Sequence, residues 1–105
     1  MTGILIIDTD PGVDDATAIL MALASPELDV IGVTTIFGNA ATERTTVNAL
    51  RLLEVAGRTD VPVAVGELAP LVSDYLGPVP QVHGVNGLGD AELAAPQTST
   101  TAEHA

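Results

Sequence analysis

Three short apolar runs separated by two stretches of helical periodicity leave this chain few architectures to choose from. "ILII", residues 4 to 7, contains no polar residue and reads as a strand buried on both faces, as in a parallel sheet. From Asp14 the pattern turns helical, with Ala18, Ile19, Ala22 and Leu23 on one face, until Ser25-Pro26 stops it. "LDVIGVTTIF", from Leu28, is the second strand, broken by Gly38-Asn39. A second helix then runs to Gly57, with Val47, Leu50, Leu53 and Ala56 expected to face inward and the glycine placed to close it. "VPVAV", residues 61 to 65, is the third strand. Strands alternating with helices make βαβ units, whose right-handed crossovers build a parallel sheet. The expected class is α/β, a Rossmann-like and mostly parallel sheet with flanking helices.

In open sheets of this kind, ligands bind beyond the carboxyl ends of the strands, where the loops converge. Two segments fall at that rim: "DTDPGVDD", residues 8 to 15, and the Gly38-Asn39 pair. The first places four aspartates in eight positions, and no lysine or arginine precedes Arg44. Two carboxylates ~6 Å apart at an effective dielectric of ~20 repel by roughly 2 to 3 kcal/mol, so such a cluster needs an offset. Asp14 and Asp15 find one at the start of a helix, where free N–H groups and the positive end of the dipole favour acidic side chains. Asp8 and Asp10 lie at the strand end and have no such relief. A hard divalent cation would supply it, since calcium and magnesium take oxygen ligands in sites without histidine or cysteine. Pro11-Gly12 makes a sharp turn that lets Asp10 and Asp15 face a common point. A bound metal lowers the pKa of its water and a carboxylate can accept the proton, which describes a hydrolase without naming its substrate.

The formal net charge of −11, from fourteen acids and three basic residues, argues against nucleic acid and against an anionic membrane. The longest apolar runs are too short to span a bilayer, the opening residues lack the basic and apolar pattern of a secretory signal so none is expected, and cysteine is absent, so a cytoplasmic location is expected. Arg44, Arg51 and Arg58 are seven apart and read as a solvated helical stripe. After Gly66 prolines and glycines multiply, suggesting loops with one short helix. Residues 1–93 read as one domain region and 94–105 as a polar tail without fixed structure.

"DTDPGVDDATAI" behind an apolar strand resembles the signature of the inosine-uridine-preferring nucleoside hydrolases. The resemblance continues through "GVTTIFGN" at 32–39 and "VHGVNGLGDAEL" at 82–93, in the same order and at similar separations. It implies hydrolysis of the N-glycosidic bond of a ribonucleoside to ribose and free base. It further implies that Asp10 and Asp15 bind a calcium ion, with Asp8 close to it, and that Asp10 takes the proton of the attacking water. Asp14 would bond the ribose hydroxyls, Asn39 would lie beside the sugar, and His83 near the base. Read without the resemblance, Asn39 is an N-cap before the second helix and His83 a loop histidine.

Members of that family are considerably longer, and their sites use ligands from later in the chain. The sequence therefore reads as the amino-terminal portion of a larger fold, expected to be weak or inactive by itself. An unpaired edge of "ILII" would invite self-association or a companion chain. Two other readings stay open: a non-catalytic module that binds a metal or ribose, and a haloacid dehalogenase-type phosphatase, whose opening "IIDTD" also resembles. Those phosphatases usually carry threonine or valine where this chain has Gly12.

Overall fold

The structure, a computed structural model, describes residues 3–72 and 96–101. Its elements follow in the order β1 (Gly3–Thr9), α1 (Val13–Ala24), β2 (Leu28–Thr35), α2 (Thr42–Val55) and β3 (Val63–Val65). The three strands form one parallel sheet in the order β1-β2-β3. Consecutive parallel neighbours joined by right-handed crossovers put both helices on the same face. The core lies there: Val30, Val33 and Val63 from the sheet meet Ala49, Leu50 and Leu53 of α2, with Leu5, Ile7, Ala22 and Leu23 packed around them.

The expected burial of β1 on both faces holds on one only. Leu5 and Ile7 point under α1, whereas Ile4 and Ile6 are 74% and 59% exposed. Successive strand residues alternate faces, and among the described residues no element covers the second face of the sheet. The two edges also differ. Beyond β3, the Thr101 N–H donates to the Val63 carbonyl at 2.8 Å, and the Glu54 carboxylate accepts from the N–H groups of Gln97 and Thr98 and from the Thr98 hydroxyl. Residues 96–101, part of the segment expected to lack fixed structure, therefore lie along that edge. β1, first in the strand order, has no strand on its outer side among the described residues.

In β2 the register shifts: Leu5 pairs with Val30 but Ile6 pairs with Gly32, so Ile31 is an extra residue, a β-bulge. Helix α2 ends two residues before the expected Gly57. The Gly57 N–H donates to Glu54 O and the Arg58 N–H to Leu53 O, with Gly57 at φ +70°, the paired bonds of a Schellman cap. Arg58 consequently leaves the helical stripe expected of the arginines and pairs with Asp60 at 3.0 Å. Leu50 and Leu53 face inward as expected, while Val47 and Ala56 are only half-buried. Four polar residues of the helix, Thr42, Thr45, Thr46 and Asn48, are buried as well.

No helix among the described residues is long and apolar enough to cross a membrane.

Candidate active site

The carboxyl ends of β1 and β2 bring Asp10 and Asn39 together, although 29 residues separate them. The Asn39 N–H donates to Asp10 Oδ2 at 2.8 Å, and its side-chain amide donates to the Asp10 carbonyl at 3.1 Å. Two bonds, both donated by Asn39, fix the carboxylate and the main chain at residue 10. They also replace the N-cap reading of Asn39: the cap of α2 is Ala41, two positions later, with no side-chain bond to the helix.

Gly38 makes this approach possible. Its φ of +154° lies where side chains are disfavoured, and a Cβ there would fall onto the Asp10 carboxylate. The loop is fixed at its start by the Ile36 N–H, which extends the β1–β2 ladder to Thr9 O.

Asp14 and Asp15 occupy the first turn of α1, as their sequence position implies. Gly12, the N-cap, supplies no side chain, so the acids lie near N–H groups that the helix itself leaves unused. Asp14 is exposed. Asp15 turns back toward the sheet, where its Oδ2 accepts from the Thr9 hydroxyl at 2.8 Å. Burial pushes the Asp15 carboxyl above its ordinary value; the Thr9 bond opposes this, while the charges of Asp10 and Asp14 and a carboxyl–carboxyl contact with Asp10 add to it. The Pro11-Gly12 turn leaves Asp10 near enough to Asp15 for its charge to be felt there. Asp8 lies elsewhere in the cluster: it alternates to the open face and accepts from the Thr34 hydroxyl at 2.6 Å. Among the described residues no three acidic or imidazole groups converge on one point as a metal-binding set. His83 lies outside the described residues.

Three side chains missing from the sequence-based reading support this arrangement. Thr9 holds Asp15, Thr34 holds Asp8, and Asn48 donates to the Pro11 carbonyl at 3.4 Å from α2. Only Thr9 gave a signal in the sequence, since strand alternation sends it to the face opposite Asp8.

A carboxyl whose pKa is raised by folding binds its proton more tightly in the native state. The native state is therefore favoured by protonation, and stability declines as pH rises from the ordinary value of 3.8 through the raised one. At neutral pH, Asp15→Asn is expected to stabilise the protein, because Asn keeps an acceptor for Thr9 and loses the repulsion from Asp10 and Asp14. Discounted for solvent screening, the gain is on the order of 1 kcal/mol, or roughly 4–8 °C in Tm for a domain of this size. Melting curves in chelator at pH 7 and pH 4 check it: the variant's advantage should shrink at the lower pH.

Residues 5–105 match the family described as inosine-uridine preferring nucleoside hydrolase. The chain is 55% identical over 92 residues to uridine nucleosidase 1 of Arabidopsis thaliana, a match covering 88% of this chain and 27% of that protein. Among solved structures, it superposes on the plant nucleoside hydrolase PpNRh1 with a TM-score of 0.83 at 48% identity, covering 95% of this chain and 33% of that one. On the purine-preferring ribonucleoside hydrolase from Gardnerella vaginalis the TM-score is 0.91 at 37% identity, covering 98% and 34%. The chain thus spans about a third of the length of these relatives. The family match runs through the whole acidic segment, which displaces the phosphatase alternative. This chain belongs to the inosine-uridine preferring nucleoside hydrolase family and corresponds to the amino-terminal portion of that larger fold.

Proposed function

We propose that this chain supplies the acidic half of a calcium-dependent site that hydrolyses the N-glycosidic bond of ribonucleosides to ribose and free base. The placement of two carboxylates at the carboxyl end of β1, Asp10 held by Asn39 at 2.8 Å and Asp15 by Thr9 at 2.8 Å, carries this reading. Two hard carboxylates at one sheet rim, with Arg58, the one ion-paired cation among the described residues, engaged by Asp60, have the donor chemistry of an oxygen-seeking divalent ion. They are a partial set, since calcium takes six to eight oxygens. Asp10 and Asp15 would hold the ion, with Asp8 nearby, and when bound it would acidify a water and orient the sugar diol.

The chain's own residues then have distinct tasks. Asp10, whose Oδ2 is already occupied by Asn39, accepts the proton of the attacking water through its other oxygen. The water oxygen bonds to the anomeric carbon as the C–N bond breaks, and its electron pair leaves with the base. Positive charge develops on the sugar chiefly in the transition state, where the surrounding carboxylates stabilise it. Asp14, exposed on the first turn of α1, accepts hydrogen bonds from the ribose hydroxyls. Asn39 borders the sugar, and His83 the base. The departing base is protonated by a group outside this set.

A second observation bears on partners. The edge of β3 is already occupied by residues 96–101, while β1 offers an open edge with Ile4 and Ile6 exposed beside it. The polypeptide that carries the rest of the family fold docks on the β1 edge, and self-association through that edge is what the chain does without it. The chain alone is then weak or inactive, and a non-catalytic metal-binding role is what remains to it.

The test combines calcium titration with release of base from inosine and from uridine. It uses the chain alone and the chain co-expressed with the part of the Gardnerella vaginalis hydrolase that it does not match. Expected are weak calcium binding by the chain alone, with Kd about 10⁻⁴ to 10⁻³ M, base release near the uncatalysed rate, and turnover on complementation that chelator abolishes. Turnover that persists in chelator would overturn the calcium assignment, and enzyme-level turnover by the chain alone the claim of inactivity.

A further inference from the structure

Helix α2 buries an unusual surface. Thr42, Thr45 and Asn48, spaced i, i+3 and i+6 along one side, are 1%, 0% and 0% exposed. Each sends its side chain to a main-chain carbonyl in a different loop. Thr42 Oγ1 donates to Glu67 O at 2.6 Å, after β3; Thr45 Oγ1 donates to Ile36 O at 2.9 Å, after β2; Asn48 Nδ2 donates to Pro11 O at 3.4 Å, after β1. The three loops are those that follow the carboxyl ends of all three strands.

A buried threonine in a helix ordinarily satisfies its hydroxyl on the carbonyl of the preceding turn. Thr46 does so, donating to Thr42 O at 2.7 Å and bonding the Thr35 hydroxyl across the core. Thr45 has the same option within its own helix, at 3.0 Å to Thr42 O, yet its hydroxyl also lies 2.9 Å from Ile36 O, so its single proton is shared with that loop. Its bond to the loop is therefore not the mere disposal of a buried hydroxyl.

The consequence converges on one residue. Ile36 begins the short segment that ends at Asn39, whose N–H and side chain grip Asp10. Pro11, held by Asn48, follows Asp10 directly. Asp10 is thus located from both sides by groups anchored to the same helix. We propose that Thr45 and Asn48, with Thr42 beneath the β3 loop, are positioning residues for the Asp10 carboxylate, and that α2 makes the three rim loops a single unit. None of them touches substrate. The role of that carboxylate rests on the function proposed above; its placement by α2 does not.

The test is the hydrogen exchange of the Asn39 amide, read by NMR against the core amide of Val33, in Thr45→Val and Thr45→Ser. Valine keeps the shape and loses the hydroxyl; serine keeps the hydroxyl and loses a methyl. A positioning role predicts that Thr45→Val speeds Asn39 exchange at least 10-fold relative to Val33, whereas Thr45→Ser stays within about 2-fold of the parent. Should the valine variant not fold, Thr45→Ala removes the hydroxyl without a branched side chain and is read in the same way. Unchanged Asn39 exchange in the hydroxyl-deficient variant overturns the proposal, as does equal acceleration at Asn39 and Val33, which is the signature of packing alone. Since the readout needs neither metal nor nucleoside, failure to bind calcium would sink the functional reading and leave this result standing.

Discussion

Gly38→Ala is expected to lower the Tm by more than about 10 °C and to release Asp10 from Asn39. Two costs combine. The backbone at φ +154° is one that a residue with a Cβ rarely adopts, and the new methyl would lie on the Asp10 carboxylate, with Cγ at only 2.9 Å. Strain of this kind costs about 1–3 kcal/mol and overpacking about 1–3 kcal/mol more. The atoms in the way belong to a short side chain whose Oδ2 accepts from the Asn39 N–H, so they cannot swing aside without breaking that bond. Gly57→Ala is the control. Gly57 also has positive φ, but nothing lies within 4 Å of its would-be Cβ, so only the backbone cost of about 1 kcal/mol applies. Thermal melts of both variants in chelator check the difference; equal losses would show that the crowding against Asp10 is absent.

The second large effect concerns chemistry. In the protein complemented with the rest of the fold, Asp10→Asn is expected to lower kcat by about 10²- to 10⁴-fold, the usual worth of a positioned general base. The substitution is nearly isosteric, and the amide oxygen can still accept the Asn39 N–H, so the loss would not come from misfolding. Removing the charge also removes part of what raises the Asp15 pKa, so Asp15 should titrate closer to its ordinary value. Rates at saturating nucleoside together with an NMR titration of the Asp15 carboxyl test both parts. A variant that keeps kcat within a few-fold would assign proton acceptance to another group.

Much of this fold could be read from periodicity, because the elements that carry it are those whose apolar residues face the core. "ILII", the helical run from Asp14 and the glycine that closes α2 all fall where expected. Two things escaped, for different physical reasons. Burial of β1 on both faces could not be judged from apolarity alone: Ile4 and Ile6 are as apolar as Leu5 and Ile7, but nothing described covers their side. The inner face of α2 escaped because an apolar period is blind to polar residues buried for their partners. Thr42, Thr45 and Asn48 add nothing to an apolar period, and their place inside is evident only with the carbonyls of three distant loops beside them. The acidic site was legible as composition and turn chemistry at Asp10 to Asp15, whereas its supports, Thr9 and Asn39, became specific only once the strand ends were side by side.

The extra residue in β2 settles how this site could vary over time. Val30 and Val33 are both buried although three positions apart, a spacing that a regular strand would send to opposite faces. Ile31 resets the alternation between them, so that Thr35 turns in beneath Thr46 while Thr34 turns out to Asp8. The first half of the strand and its carboxyl-terminal tip therefore keep separate phase. Substitutions in one half do not rotate the other, and only an insertion or deletion at the bulge would exchange what the rim shows to a ligand for what it hides.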